Sequence, residues 1–179
     1  MNEYRAFDQL RTYELYIAKK GFWYPDFELT DGQFCYGKLS YNSLWKTASV
    51  LETAQKTWIV KRKGIFSRAL LINDVDGMLI GTITPEIWSR KTMLNLNDGF
   101  DAVYLNKKIF TRTLSLINTQ YGDLLNIKTE SWKLKTPFKV FMEPAVIKNI
   151  PNLPLLALLG VNLVLQSQER AAASAGVGG

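Results

Sequence analysis

The chain has 179 residues, of which 47% are hydrophobic and 21% charged, a composition typical of one globular domain with a real core. Its net charge of +6 favours acidic partners such as phosphates, nucleic acid or anionic lipid. Histidine is absent and Cys35 is the single cysteine, which excludes a disulfide within the chain and removes the usual groups for zinc sites and histidine-dependent catalysis. We therefore expect a non-enzymatic protein without metal or cofactor; a hydrolase using Asp and Lys alone is the remaining enzymatic alternative.

Residues 1–26 form the predicted N-terminal segment. Glu3, Arg5 and Asp8 interrupt any apolar run near the start, which argues against a signal peptide and makes the cytoplasm the default location. Between residues 3 and 20 the apolar side chains fall close to helical spacing, which predicts a helix packed on the surface. Residues 12–18 can instead be interpreted as a first strand. The apolar positions are Tyr4, Phe7, Leu10, Tyr13 and Ile17.

Short β-rich segments separated by turn residues occupy residues 27–142. Their spacing and period-two alternation are typical of an antiparallel sheet, and we expect about ten or eleven strands in this region. The clearest strands are predicted at 37–41, 46–52, 57–61, 94–97, 114–116 and 125–128, and the turns at 31–32, 74–77, 97–99 and 119–122.

An internal repeat supports the hairpin interpretation. Leu71-Ile72-Asn73 recurs 45 residues later as Leu116-Ile117-Asn118, and each copy is followed by a turn that ends in glycine. Each copy is preceded by a basic pair and by Ile-Phe-Ser/Thr-Arg, at 65–68 and 109–112. We interpret the repeat as a duplicated hairpin within one sheet.

The hydrophobic run at residues 153–165 organises the predicted fold. It is apolar on every side, so in a soluble protein it must be buried all round. A membrane span requires about 20 apolar residues, and this run has 13, which favours a core helix over membrane insertion. A barrel of ten or more strands has an interior that its own side chains do not fill. The sequence therefore predicts a closed antiparallel β-barrel of ten or more strands at 27–169, a central helix at 153–168 and a flexible tail at 170–179.

This order of elements resembles the tubby-like C-terminal fold, which tubby proteins, phospholipid scramblases and plant LURP-one-related proteins share. The resemblance rests on the helix at 153–165 and on the strand-turn-strand run from 58 to 80, and it covers roughly residues 27–168. It implies a closed barrel of about twelve strands around a hydrophobic C-terminal helix, with no catalytic signature. In tubby proteins a basic surface binds phosphoinositide headgroups, and the basic run at 61–63 is similar in kind.

The repeat places two basic clusters at equivalent hairpin ends, where they would form an anion site on one rim. We expect peripheral binding of anionic phospholipid or phosphoinositide there, without a transmembrane span. Solvated strand ends are the simpler explanation of the same charges. A protein-interaction or scaffold domain, or a lipocalin-like carrier with the helix outside the barrel, are the alternative functions, and nucleic acid is disfavoured. The candidate residues are Lys61, Arg62, Lys63, Arg68, Lys107, Lys108 and Arg112.

Other chemically suggestive residues have structural interpretations. Asp74 and Asp76 before Gly77 resemble the start of a calcium loop, but the later ligands are missing and a hairpin turn is favoured. Cys35 is expected to be buried without a nucleophilic role. Asn162 must find a hydrogen-bond partner in the helix environment, and the five tryptophans are expected to pack in the core.

Overall fold

A computed structural model describes residues 4–23, 25–42, 48–64, 66–86, 89–106, 112–150 and 152–175. Twelve antiparallel strands close into a barrel, and a C-terminal helix begins inside it. Each strand pairs with its neighbours in the chain, and the first strand closes the barrel against the last. The elements are β1 (Glu14–Lys20), β2 (Asp26–Thr30), β3 (Cys35–Tyr41), β4 (Ala48–Thr53), β5 (Thr57–Arg62), β6 (Leu70–Asn73), β7 (Leu79–Pro85), β8 (Lys91–Leu96), β9 (Asp101–Asn106), β10 (Thr113–Asn118), β11 (Gly122–Thr129), β12 (Phe138–Met142) and α1 (Leu153–Ala175).

The strands alternate between the lumen and the outer surface because successive side chains point to opposite faces. On β1 the buried residues are Leu15 and Ile17, and on β4 they are Ser49, Leu51 and Thr53. These inward residues surround α1 and form one continuous core with it. The predicted closed barrel around a hydrophobic helix is confirmed.

The first ten residues of α1, at positions 153–162, are all buried. Two glycines permit this close fit. A Cβ added at Gly160 would lie 2.4 Å from Cδ1 of Ile127, and one added at Gly37 would lie 3.1 Å from Cδ1 of Leu158. The helix can therefore approach β3 and β11 more closely than any larger residue would allow.

Polar contacts position the helix within the lumen. The Tyr104 hydroxyl donates to the carbonyl oxygen of Leu156 at 2.6 Å, and burial raises the pKa of Tyr104 well above its ordinary value. The Tyr41 hydroxyl donates to Oδ1 of Asn162 at 3.2 Å. The expectation that Asn162 bonds to a barrel-lining group is confirmed, and its position relative to β3 is set by this contact.

The prediction of a helix over residues 3–20 is wrong. Residues Phe7–Gln9 form one short 3₁₀ turn, and Glu14–Lys20 is strand β1. Leu15 and Ile17 alternate into the core, so the alternative interpretation as a first strand is correct. Closure of the barrel requires this strand, because its residues pair with both β2 and β12. The barrel therefore begins at Glu14 and not at residue 27.

The helix also extends further than the expected end at residue 168. It continues to Ala175, so residues 170–175 are helical and not a flexible tail. Glu169, Arg170 and the three following alanines are strong helix formers, which explains the continuation beyond the barrel. Among the described residues, no helix is both long and apolar enough to cross a membrane.

The predicted turns lie between strands as expected. Gly32, Gly77, Gly99 and Gly122 all have positive φ angles, between 73° and 95°, that favour glycine. In the β6–β7 turn, the Asp74 carboxylate accepts hydrogen bonds from the backbone N–H groups of Asp76 and Met78. This carboxylate is therefore part of a hairpin turn, as the sequence indicated.

Candidate functional site

The start of α1 lies at one end of the barrel, and its later residues lie at the other end. Seven helix residues between Leu163 and Ala171 line one cavity together with Leu70, Pro85, Thr92 and Asn106, which lie near one end of strands β6 to β9. We call this the exit end. It is the end of the β1–β2, β3–β4, β5–β6, β7–β8, β9–β10 and β11–β12 connections, because antiparallel neighbours turn alternately at the two ends. Asn152 lies at the opposite end, beside the β4–β5 turn.

The exit end is strongly basic. Among the described residues, exposed lysines and arginines there outnumber the carboxylates, and three of those carboxylates are already paired. Asp26 lies 3.8 Å from Lys38. Glu28 lies 3.7 Å from Lys20, and Glu130 lies 2.8 Å from Lys133. The exposed cations are Lys19, Lys20, Lys61, Arg62, Lys63, Arg68, Arg90, Lys91, Arg112, Lys128, Lys133, Lys135 and Arg170; the carboxylates are Asp26, Glu28, Glu86, Glu130 and Glu169.

The opposite end has the reverse balance. Its turns and the segment that leads into α1 hold more carboxylates than cations among the described residues. A second cavity of about 590 Å³ lies here and is lined by charges of both signs, including Lys56, Asp74 and Asp98. The carboxylates at this end include Asp31, Asp74, Asp76, Asp98, Asp101, Asp123 and Glu143, and the cations include Arg5, Arg11, Lys56 and Lys148.

Large apolar side chains project from the same connections that hold the basic residues. Phe22 and Trp23 lie between β1 and β2, Phe66 lies between β5 and β6, and Trp132 and Leu134 lie between β11 and β12. Their residues are 82% to 100% exposed. The Phe22 and Trp23 rings pack edge to face with centroids 5.5 Å apart. The β1–β2 and β11–β12 connections are neighbours at this end, and the β5–β6 connection lies across the mouth from them, so exposed apolar side chains flank the mouth on both sides.

The basic run at the end of β5 divides between two faces. Trp58 and Val60 point into the lumen and are buried, so Arg62 shares the inner face and Lys61 the outer one. Lys63 follows the strand and is exposed, with its backbone N–H donated to the Ala69 carbonyl at 3.0 Å. Arg62 therefore lies at the mouth of the barrel, whereas Lys61 lies on its outer wall.

The two halves of the sequence repeat meet at the exit end. Arg68, before β6, and Arg112, before β10, line the same cavity of about 580 Å³. Arg112 has a φ angle of 45° and donates a guanidinium hydrogen bond to Ser131 Oγ. Lys107 and Lys108 lie outside the described residues. The structure thus brings Arg68 and Arg112 together and leaves Lys61 apart from them.

Sequence reasoning missed a third cavity arginine, Arg170. It lies on the part of α1 beyond the buried run, where a mobile tail was expected. Burial lowers the pKa of Arg170, and the positive charges of Arg62 and Arg68 lower it further. Its guanidinium donates to Oε1 of Gln166 at 3.3 Å. Neighbouring positive charges of this kind make the mouth a favourable place for an anion.

The exposed aromatics were also missed, because tryptophan was expected in the core. Trp58 is buried as expected, but Trp23 and Trp132 are exposed, so that prediction is wrong for these two. A signal was available. Large apolar residues recur every 22 residues in the sequence, at Phe22, Leu44, Phe66, Trp88, Phe110 and Trp132. Leu44, Trp88 and Phe110 lie outside the described residues.

Cys35 does not contribute to this site. It lies at the start of β3, at the opposite end, and is partly buried. Burial raises the pKa of its thiol, which lowers the fraction of reactive thiolate.

Comparisons of the chain with protein-family models, with curated proteins and with solved structures find no match.

Proposed function

We propose that the exit end binds the surface of membranes that contain anionic phospholipid. The observation that supports this most is the coincidence of two features on one end of the barrel. Exposed aromatic and aliphatic side chains occupy the tips of its connections, and exposed lysines and arginines surround them. Apolar tips enter the headgroup region while cations meet the lipid phosphates, which is the pattern of interfacial binding.

The apolar contribution comes from side chains that nothing covers in the isolated chain. Phe66 is 100% exposed and Trp132 is 98% exposed. Complete burial of a large apolar side chain contributes about 1.5–3 kcal/mol, and tryptophan is enriched at membrane interfaces because its ring is amphipathic. Loops on opposite sides of the mouth, β5–β6 and β11–β12, would then enter the same lipid surface.

The electrostatic contribution also determines orientation. A lysine or arginine close to an anionic membrane contributes about 1 kcal/mol, and the attraction decays within a Debye length of about 8–10 Å. The carboxylates at the opposite end, among them Asp74 and Asp98, are repelled by the same surface. The bipolar charge distribution therefore favours an approach with the exit end toward the lipid.

We further propose that the chain is related to tubby-like proteins, including the LURP-one-related and scramblase-like groups. A closed barrel of twelve strands around a hydrophobic C-terminal helix supports this relation, as does a basic end. On that basis phosphoinositides are the first anionic lipids to compare with phosphatidylserine, and the protein would act peripherally on a membrane facing the cytoplasm.

Changing Lys61, Arg62 and Lys63 together to alanine should weaken binding to vesicles of phosphatidylcholine and phosphatidylserine by at least about tenfold. Co-sedimentation measures the fraction of protein bound to the vesicles. Raising the salt concentration should also weaken vesicle binding of the wild-type protein. The matched control changes Arg11, Lys56 and Lys148 to alanine, which removes equal charge from the opposite end and should leave binding intact. Equal losses in the two triple variants would show that only net charge matters and would contradict a specific face.

Changing Phe66 and Trp132 together to serine should also weaken vesicle binding by about tenfold or more, which corresponds to about 1.4 kcal/mol. The reason is the loss of two apolar tips that enter the interface. Val75 and Met78, which are exposed in the β6–β7 turn at the opposite end, provide the matched serine control. Unchanged binding of the Phe66/Trp132 variant would contradict insertion, and failure of the wild-type protein to bind any anionic vesicle would favour a protein-interaction domain.

A further inference from the structure

The lumen is not filled along its whole length. Beyond Asn162 the helix residues become half-buried and then exposed, and a cavity of about 580 Å³ opens beside them. Where it is buried, α1 lies closest to β3 and β4, and the cavity lies on the other side, along β6 to β11. This volume is in the range of small-molecule sites. The mouth of the barrel therefore has room for a small molecule beside the helix.

Two strands give the cavity a cationic rim and an apolar floor. Arg68 precedes Leu70 by two residues, and Arg112 precedes Leu114 by two residues; all four line the cavity. Both arginines lie in the connections that precede these strands, whereas both leucines lie on the strands themselves, β6 and β10. Leu70 and Leu114 are buried, at 2% and 5% exposure. The arginines therefore lie nearer the mouth of the barrel, and the leucines lie deeper in the cavity.

The helix repeats this order on the facing wall. Leu163 and Val164 line the inner part of the cavity, and Arg170 lies two turns further along α1. Six or seven helical residues rise by about 10 Å, which places the Arg170 charge near the mouth. Three elements that are distant in sequence thus agree in depth and polarity, with arginine outside and aliphatic side chains inside.

Ion pairs within the described part of the chain do not neutralise the cationic rim. Among the described residues, no carboxylate forms an ion pair with Arg68, Arg112 or Arg170. Glu169 is next to Arg170 in the sequence. Its negative charge adds to burial in raising the pKa of Tyr41, at the end of β3. Guanidinium groups bind carboxylates and phosphates through paired hydrogen bonds. A single anionic group at the mouth would relieve the repulsion that Arg62 and Arg68 exert on Arg170.

We propose that this cavity binds a single-chain anionic amphiphile, with its carboxylate or phosphate head among Arg68, Arg112 and Arg170. The first part of its aliphatic chain lies against Leu70, Leu114 and the helix. Both parts are required by the lining: a free anion leaves the floor unfilled, and a neutral chain leaves the arginines unpaired. This inference goes beyond membrane-surface binding and does not depend on it, because the site lies inside the barrel.

Isothermal titration calorimetry with dodecyl phosphate and dodecanoate, each below its micellar concentration, tests the proposal. We expect one site for each probe and no comparable binding of inorganic phosphate or dodecanol. Changing Arg68 and Arg170 together to alanine should weaken binding by at least about tenfold. Changing Lys56 and Lys148 together to alanine removes the same charge at the opposite end and should have no effect.

A cavity-filling variant tests whether the aliphatic chain of the ligand lies in the cavity. Val164→Trp places a large ring in the cavity and should abolish binding of dodecyl phosphate while thermal unfolding stays cooperative. If that variant does not fold, Thr92→Phe fills the cavity from the strand wall. Wild-type affinity in the folded filling variant, equal affinity for inorganic phosphate, or no binding of either amphiphile would overturn the proposal. Because the probes are monomeric and vesicles are absent, these outcomes are independent of the vesicle experiments.

Discussion

A chain that stops after Asn152 will not fold into a stable barrel. It loses the ten buried helix residues at 153–162, six of which are leucine or valine with no more than 1% exposure. Burial of each large apolar side chain contributes about 1.5–3 kcal/mol, so the six together contribute roughly as much as the whole stability of about 5–15 kcal/mol that domains usually have. The inward leucines and isoleucines of the strands would then line an empty lumen. We expect insoluble protein, or soluble protein without a cooperative unfolding transition.

A chain that stops after Glu169 is the matched control. Residues 170–175 are helical but exposed, so their loss removes little buried surface. This control should remain soluble, give a β-rich far-UV spectrum and unfold cooperatively in urea. Soluble, cooperative unfolding of the chain that stops after Asn152 would contradict the view that the helix forms the centre of the core.

Gly37→Ala should destabilise the fold by about 3 kcal/mol. Gly37 lies on β3, and a Cβ there would lie 2.5 Å from the carbonyl oxygen of Glu52 and 3.1 Å from both Leu158 Cδ1 and Thr53 Cγ2. The Glu52 carbonyl belongs to the backbone of β4 and cannot rotate away as a side chain would. Relief therefore requires a shift of β3 from β4, because a displacement of α1 would relieve only the contact with Leu158. Urea unfolding should show a lower midpoint with an unchanged slope.

Gly64→Ala provides the comparison for this substitution. Gly64 lies in the connection after β5, and an added Cβ there meets no atom within 4 Å. Its unfolding free energy should therefore change by no more than about 0.5 kcal/mol. Similar costs for Gly37→Ala and Gly64→Ala would indicate that backbone entropy, and not the contact with Glu52 and α1, explains the effect.

The barrel could be predicted because its two strongest signals are local. Period-two alternation marks most strands, and an unbroken apolar run such as 153–165 must be enclosed whatever surrounds it. Strand β1 was harder, because Tyr4, Phe7, Leu10, Tyr13 and Ile17 also fit a helix. The pairing of β1 with β12 decides between the two, and pairing across the whole chain is not visible in local spacing.

The candidate site was predictable only in part. The repeat correctly brought Arg68 and Arg112 to one end, since equivalent hairpins in an antiparallel barrel turn at the same end. Which of Lys61 and Arg62 faces the lumen depends on the register of β5. Whether Arg170 reaches the cavity depends on how far α1 extends. The exposed aromatic residues were missed for a different reason. Tryptophan is usually buried, and the positions of Phe22, Phe66 and Trp132 at multiples of 22 residues indicate connections only once the strands are known.

The closure of the barrel has a consequence for the order of folding. Every ladder other than the closing one joins strands that are consecutive in the chain, whereas Glu14 of β1 pairs with Phe141 of β12. Contacts between distant residues require the costly closure of a long loop and form slowly. Because α1 follows β12 and lies inside the barrel, the gap between β1 and β12 must remain open until the helix has entered. Until then both unpaired edges, and the apolar inner wall, are exposed to other chains, so the slowest step of folding is also the step most vulnerable to aggregation.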